Sequence, residues 1–300
     1  MHQATVPWQS EHTIVLADGR NLGYAIYGDP QGKPVLYFHG GMSSRLDIRF
    51  AADYCASAGL YIIAPDRPGT GQSSRQAGRN MQDWSRDVVE LLDQLKIDKL
   101  PLMGWSVGGP YALSCAYEIP QRITNVATIG SAMTFDSPEA IKALGLMADR
   151  LLLTCPQAWR WLLAALLCCA GKLPPALIKM ELEREVQSLP DRSIIKSLSI
   201  SQGSKFIIES VAQGGHGVVD DYAAVAEHWG FALSEIKIPV HLYHGALDAI
   251  CPLSAAHYLA DNIKHATLEI VPDEGHFLLH HKIENVLSTL IDESASQAQG

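Results

Sequence analysis

The sequence predicts an α/β protein with a mostly parallel central sheet, helices on both faces and an inserted helical block. Three observations predict it. Short all-apolar runs alternate with helix-patterned stretches between residues 35 and 130. Residues 132–232 then read as helix with no convincing strand. Strand-like text returns beyond that block, and a last amphipathic helix follows it. Runs that are apolar on both faces suit strands covered from both sides, and strand–helix alternation implies parallel connections.

The elements follow in order. Thr13–Leu16, a turn at Ala17–Arg20 and Leu22–Tyr27 read as an opening hairpin. Val35–Phe38, Leu60–Ala64, Leu100–Met103 and Ile123–Ile129 are the buried strands. Trp84, Val88, Leu91, Leu92 and Leu95 keep helical spacing between two of them. Ala140–Leu153, Trp159–Ala170 and Pro175–Val186 are expected helices of the block. Val240–Tyr243 and Thr267–Val271 resume the sheet, and Ile283, Val286, Leu287, Leu290 and Ile291 share one face of the closing helix. The tail 294–300 is expected to be disordered. The division is a core of residues 1–131 and 233–300 with a helical cap of residues 132–232.

Composition narrows the function. A chain of 300 residues buries a core without disulfide or metal staples. With 47% apolar and 18% charged residues it is globular rather than disordered. A net charge of −9 argues against nucleic-acid and anionic-membrane partners. The six cysteines show no CxxC spacing, and Cys168 and Cys169 are adjacent, which suits small apolar residues in a reducing compartment. Met1–Pro7 carries neither a basic nor an apolar signal region, so a cytoplasmic location is expected. The longest apolar run, Trp161–Ala170, is too short to span a bilayer. No HExxH or GxxxxGK[ST] pattern is present, so neither a metal nor a nucleotide cofactor is expected.

The chemistry starts at Gly104-Trp105-Ser106-Val107-Gly108-Gly109, a G-x-S-x-G pattern between an apolar run and a helical stretch. A sharp strand-to-helix turn presents its serine oxygen in a strained backbone and needs tiny neighbours, here Gly104 and Gly108. Gly109 lets the helix approach the sheet, and Pro110 falls in the first helical turn, where its missing N–H costs little. A serine needs a base, and the base an orienting carboxylate. His276 follows the last strand, at the sheet edge that Ser106 shares. His280 and His281 read as helix-surface residues, and His241 as a packed strand residue. Asp248 leaves strand Val240–Tyr243 at the same edge and is the chosen acid; Asp273, Glu274 and Asp136 are the alternatives. For the oxyanion, the N–H of Val107 at a helix start is one donor. The loop His39-Gly40-Gly41-Met42 offers the second at Gly41, with Gly40 as the alternative. The side chain of His39 is expected to orient that loop, and Ser43 or Ser44 to cap the next helix. Met42, Trp105 and His216 are candidate substrate-binding residues.

These features resemble the α/β-hydrolase family of serine-nucleophile, capped, esterase- and lipase-like enzymes. His39-Gly40-Gly41, Asp66–Ser73, the elbow at Ser106 and the loops of Asp248 and His276 stand in the family's order over residues 12–292. Met42-Ser43 departs from the Pro-Gly that many relatives carry there. The resemblance implies that Asp66–Ser73 lies beside the pocket, and that acyl transfer runs in two steps. The ordinary histidine pKa predicts activity rising as His276 deprotonates, at about pH 6.5.

The expected function is hydrolysis of a carboxylic ester, or a lactone, of a small apolar substrate. The alternatives on the same machinery are a carbon–carbon bond hydrolase, thioesterase, aminopeptidase or perhydrolase; a ligand receptor is the reading outside catalysis. The stretch Trp159–Leu167 is expected to line the pocket, to pack on the core, or to meet a second subunit in a homodimer.

Overall fold

The computed structural model describes residues 9–133 and 138–297. Met1–Pro7 and the alternative acid Asp136 lie outside the described residues.

Among the described residues, eight strands form one sheet. They are β1 (Gln9–Val15), β2 (Asn21–Gly28), β3 (Lys33–Phe38), β4 (Leu60–Pro65), β5 (Leu100–Trp105), β6 (Ile123–Ile129), β7 (Val240–Gly245) and β8 (Ala266–Val271). Their spatial order is β1-β2-β4-β3-β5-β6-β7-β8. The β1–β2 and β2–β4 pairs are antiparallel, and every pair from β4–β3 to β7–β8 is parallel. Strands β5, β6 and β7 are buried along their whole length, as expected for all-apolar runs covered from both sides.

Helix α1 (Ala52–Ser57) packs on β2 and β4, and α2 (Asp83–Gln94) packs beside α3 (Gly108–Glu118). Among the described residues, seven helices lie between β6 and β7: α4 (Pro138–Lys142), α5 (Met147–Thr154), α6 (Arg160–Ala170), α7 (Pro175–Glu185), α8 (Leu189–Ser197), α9 (Ile200–Ser210) and α10 (His216–Ala226). They form the expected helical insertion. Helices α11 (Leu253–Asn262) and α12 (Leu279–Gln297) complete the core, with α3 and α12 both packed on β5 and β6.

Two boundaries differ from the sequence reading. The single helix expected over 140–153 is two, because the N–H of Gly145 bonds the carbonyl of Ile250, and a Cβ at this position would overlap the carbonyl of Ala249. The closing helix runs through Gln297, further than the expected disordered tail allows. Among the described residues no single helix is long and apolar enough to cross a membrane; α5 and the stretch Gln157–Ala170 meet at 114°. All six cysteines are free.

Candidate active site

The parallel strands end along one edge, and the site is assembled there. Ser106 follows β5 directly and holds φ at 54°, a left-handed conformation that costs a non-glycine residue energy. Its N–H bonds the carbonyl of Ile129, and its carbonyl accepts from Gly109 and Ala132, so the elbow is stitched to the end of β6 and the start of α3. The three glycines are required by contact. A Cβ at Gly104 would strike the carbonyl of Gly108, one at Gly108 the carbonyl of Phe38, and one at Gly109 the hydroxyl of Ser131.

Asp248 and His276 come together from loops after β7 and β8. Nδ1 of His276 lies 2.8 Å from Oδ2 of Asp248, whose side chain is fully buried. The other oxygen of Asp248 accepts the N–H groups of Ile250 and Cys251, at 2.8 and 2.9 Å. Three donors therefore fix the carboxylate, and the carboxylate fixes the imidazole tautomer with Nε2 facing away. Burial works against a charge on His276, but Asp248, Asp191 and Asp149 outweigh it and raise its pKa above the ordinary histidine value. The expectation of unperturbed titration is corrected accordingly. Glu274 turns away to His281, at 2.9 Å. His280 is not the surface residue expected: it stacks on Phe50 with ring centres 3.9 Å apart, and burial lowers its pKa to about 4.

Ser106 and His276 both line one cavity of about 380 Å³, together with Gly41, Met42, Trp105 and Phe277. Burial raises the pKa of the Cys251 thiol well above its ordinary value, which keeps it protonated.

The glycine loop after β3 is fixed by a residue that the sequence did not mark. Arg67 is completely buried and spans two successive carbonyls, His39 at 2.6 Å and Gly40 at 2.8 Å. Its Nε donates to Asp221 of α10 at 2.8 Å, and Asp221 also pairs with buried Arg79. The guanidinium of Arg67 lies 4.8 Å from the ring centre of Tyr111. His39 orients the loop as expected: Nδ1 bonds the Gly40 carbonyl and Nε2 accepts the N–H of Arg67. Burial, then the nearby charge of Arg67, depress its pKa well below the ordinary value. The N–H of Gly40 is committed to Asp47 at 3.2 Å, which leaves Gly41 as the loop glycine lining the cavity. Ser43 donates to Asp47 rather than capping a helix, and the short helix at Asp47–Ala51 has no side-chain cap.

Other expectations shift. The loop 66–73 does not line the cavity. It docks the insertion instead, through Gly71 N–H on the Glu209 carbonyl and Gln213 on the carbonyls of Gly71 and Ser73. His216 does not line the cavity either, because its neighbour Gly217 is pressed against Gly69 and Gly215 against the backbone of α6. Of Trp159–Leu167, only Leu167 reaches the cavity; Trp159, Trp161 and Leu166 are exposed. The cavity also holds a polar pair missed by sequence. Tyr222 donates to Asp149 at 2.5 Å, and burial raises Asp149 to about 6. Among the described residues no group of three or more His, Cys, Asp or Glu side chains is placed to hold a metal ion.

A sequence family described by its alpha/beta hydrolase fold matches residues 33–167. YcgS of Bacillus subtilis, an uncharacterized hydrolase, is 28% identical over 87% of this chain and 90% of its own. The pimeloyl-[acyl-carrier protein] methyl ester esterase of Aromatoleum aromaticum is 29% identical over 74% of this chain and 84% of its own. Among solved structures, an esterase of Exiguobacterium antarcticum superposes with a TM-score of 0.69 at 20% identity, covering 94% of this chain and 98% of that one; at this identity the likeness concerns the fold. The match over residues 33–167 and the likeness in architecture over most of the chain agree: the chain has the α/β-hydrolase fold.

Proposed function

We propose that the protein is a serine hydrolase that cleaves a carboxylic ester, or lactone, of a small apolar substrate through an acyl-enzyme. The observation that carries this reading is the strained Ser106 facing the same cavity as a His276 already paired with Asp248. In this mechanism the Ser106 hydroxyl donates to Nε2 of His276 and attacks the carbonyl carbon as the imidazole takes its proton. The imidazolium is stabilised by Asp248 and then protonates the leaving alcohol. Water deacylates the serine by the reverse proton path.

The oxyanion rests on the N–H groups of Val107 and Gly41. Val107 stands at the start of α3, where the first amides have no partner within the helix. A trans peptide points its C=O and N–H in opposite directions. Arg67 holds the Gly40 carbonyl, so the N–H of Gly41 is turned away from Arg67, which favours Gly41 over the Asp47-bound Gly40.

The acyl or alkyl group fits an apolar wall that includes Leu146, Leu173, Leu177, Ile178 and Leu182 from the insertion. The insertion therefore acts as a cap that sets substrate size, and a cavity of about 380 Å³ suits a small molecule. A panel of p-nitrophenyl esters, lactones and thioesters, run on wild type and on Ser106→Ala, tests the reading. Turnover of medium-chain esters lost in the variant supports it; equal rates in both proteins contradict it.

A further inference from the structure

Asp248 aims the imidazole of His276, but a second carboxylate grips the main chain that carries it. Asp191 belongs to α8 of the insertion, 85 residues from His276, and is completely buried. Its Oδ2 accepts the N–H of His276 at 2.9 Å, and its Oδ1 accepts the N–H of Phe277 at 2.8 Å. Both amides belong to the turn that enters α12, where N–H groups have no partner within the helix. A carboxylate from another part of the chain thus does what a local capping side chain does elsewhere. The approach requires glycine at 275, since a Cβ there would collide with the carboxylate of Asp191. On the opposite side, the carbonyl of His276 accepts the indole N–H of Trp105 at 3.0 Å.

We infer that Asp191 is a positioning residue. By clamping the amides of His276 and Phe277, a carboxylate of the insertion sets the direction of the base and couples the seating of the insertion to turnover. The inference rests on the reading of His276 as the base.

A turn cap with no such role would stabilise the fold and leave the imidazole's titration and the rate alone. A positioning carboxylate changes both. A misaimed base lowers kcat while leaving substrate binding in place. The charge of Asp191 also acts with those of Asp248 and Asp149 to favour protonated His276, while burial opposes them. His244, on β7, faces the same group of charges. Removing the Asp191 charge therefore shifts the acid limb of kcat/KM toward lower pH.

The experiment uses the full chain with Asp191→Asn, Gly275→Ala, Asp191→Ala and the last two combined. Folding is followed by circular dichroism, activity by ester hydrolysis, and serine reactivity by a fluorophosphonate probe. Asp191→Asn is expected to lower kcat about 10- to 100-fold, with KM changed less than about twofold. Probe labelling slows by a similar factor, and the acid limb moves down in pH. Gly275→Ala, which drives a methyl into the same carboxylate, produces the same loss, and it costs less in the Asp191→Ala background than alone. A wild-type kcat and pH profile in Asp191→Asn overturns the inference. So does a loss confined to melting temperature, or failure of both the Asn and the Gly275→Ala variants to fold, since each makes Asp191 a structural cap. Absence of labelling in wild type instead removes the serine-hydrolase reading itself.

Discussion

The indole N–H of Trp105 donates to the main-chain carbonyl of His276 at 3.0 Å, so the residue before the elbow serine holds the residue that carries the imidazole. The rings of Trp105 and His276 also pack with centres 5.4 Å apart. Trp105 was a candidate for lining the pocket, and it does line it. Its larger contribution is to tie the turn after β5 to the loop after β8.

Trp105→Phe keeps a ring in place and removes the donor. Leaving a buried carbonyl unpaired costs about 1–3 kcal/mol. The expected outcome is a fall in kcat of about tenfold with KM nearly unchanged, measured on a fixed p-nitrophenyl ester. A rise in KM with kcat intact would place Trp105 in substrate binding alone.

The pH profile follows from His276. Only the neutral imidazole accepts the Ser106 proton, and its pKa lies above the ordinary value of about 6.5, with Asp248 the strongest of the charges that raise it. The acid limb of kcat/KM is therefore expected above pH 6.5 in wild type. Asp248→Asn moves it down and lowers kcat by about 10⁴, because the tautomer is no longer held. A flat profile between pH 5 and 9 contradicts His276 as base. The same raised pKa makes His276 a source of stability that is complete below the unfolded histidine value and lost as pH rises through the folded one.

Gly41→Ala tests the oxyanion loop. A Cβ there would overlap the Tyr222 hydroxyl and the Val107 side chain, displacing the N–H proposed as the second oxyanion donor. Loss of one such donor lowers kcat by about 10²–10³. Retention of full activity in this variant would assign the second donor elsewhere.

Much of this was legible because it is local. The buried strands announce themselves as apolar runs, and the elbow as glycines around one serine between strand and helix. Asp248 and His276 were reachable by topology, since C-terminal ends of parallel strands share an edge. The supporting residues were not legible. Arg67 meets Asp221 across 154 residues, Arg79 meets Asp221 across 142, and Asp191 meets His276 across 85. An ion pair or a main-chain clamp at such separations has no pattern in the chain. The break at Gly145 was hidden for the same reason, because a carbonyl from Ile250 causes it.

Asp221→Asn probes that buried network. Burial alone would raise the pKa of Asp221, yet Arg67 and Arg79 bring it below the ordinary carboxylate value. Removing the charge strands two buried guanidinium groups and is expected to destabilise by about 3–5 kcal/mol in urea unfolding. Because the depressed pKa contributes stability above the unfolded value of about 3.8, the gap between variant and wild type narrows as pH falls below it. A variant as stable as wild type at pH 7 would contradict this role.

The central claim is that Ser106 is an activated nucleophile, and intact-mass analysis after treatment with a fluorophosphonate tests it most directly. Wild type is expected to gain the mass of one phosphonyl adduct, and Ser106→Ala and His276→Ala to gain none on the same timescale. An unmodified wild type, or an adduct that persists in Ser106→Ala, contradicts the account.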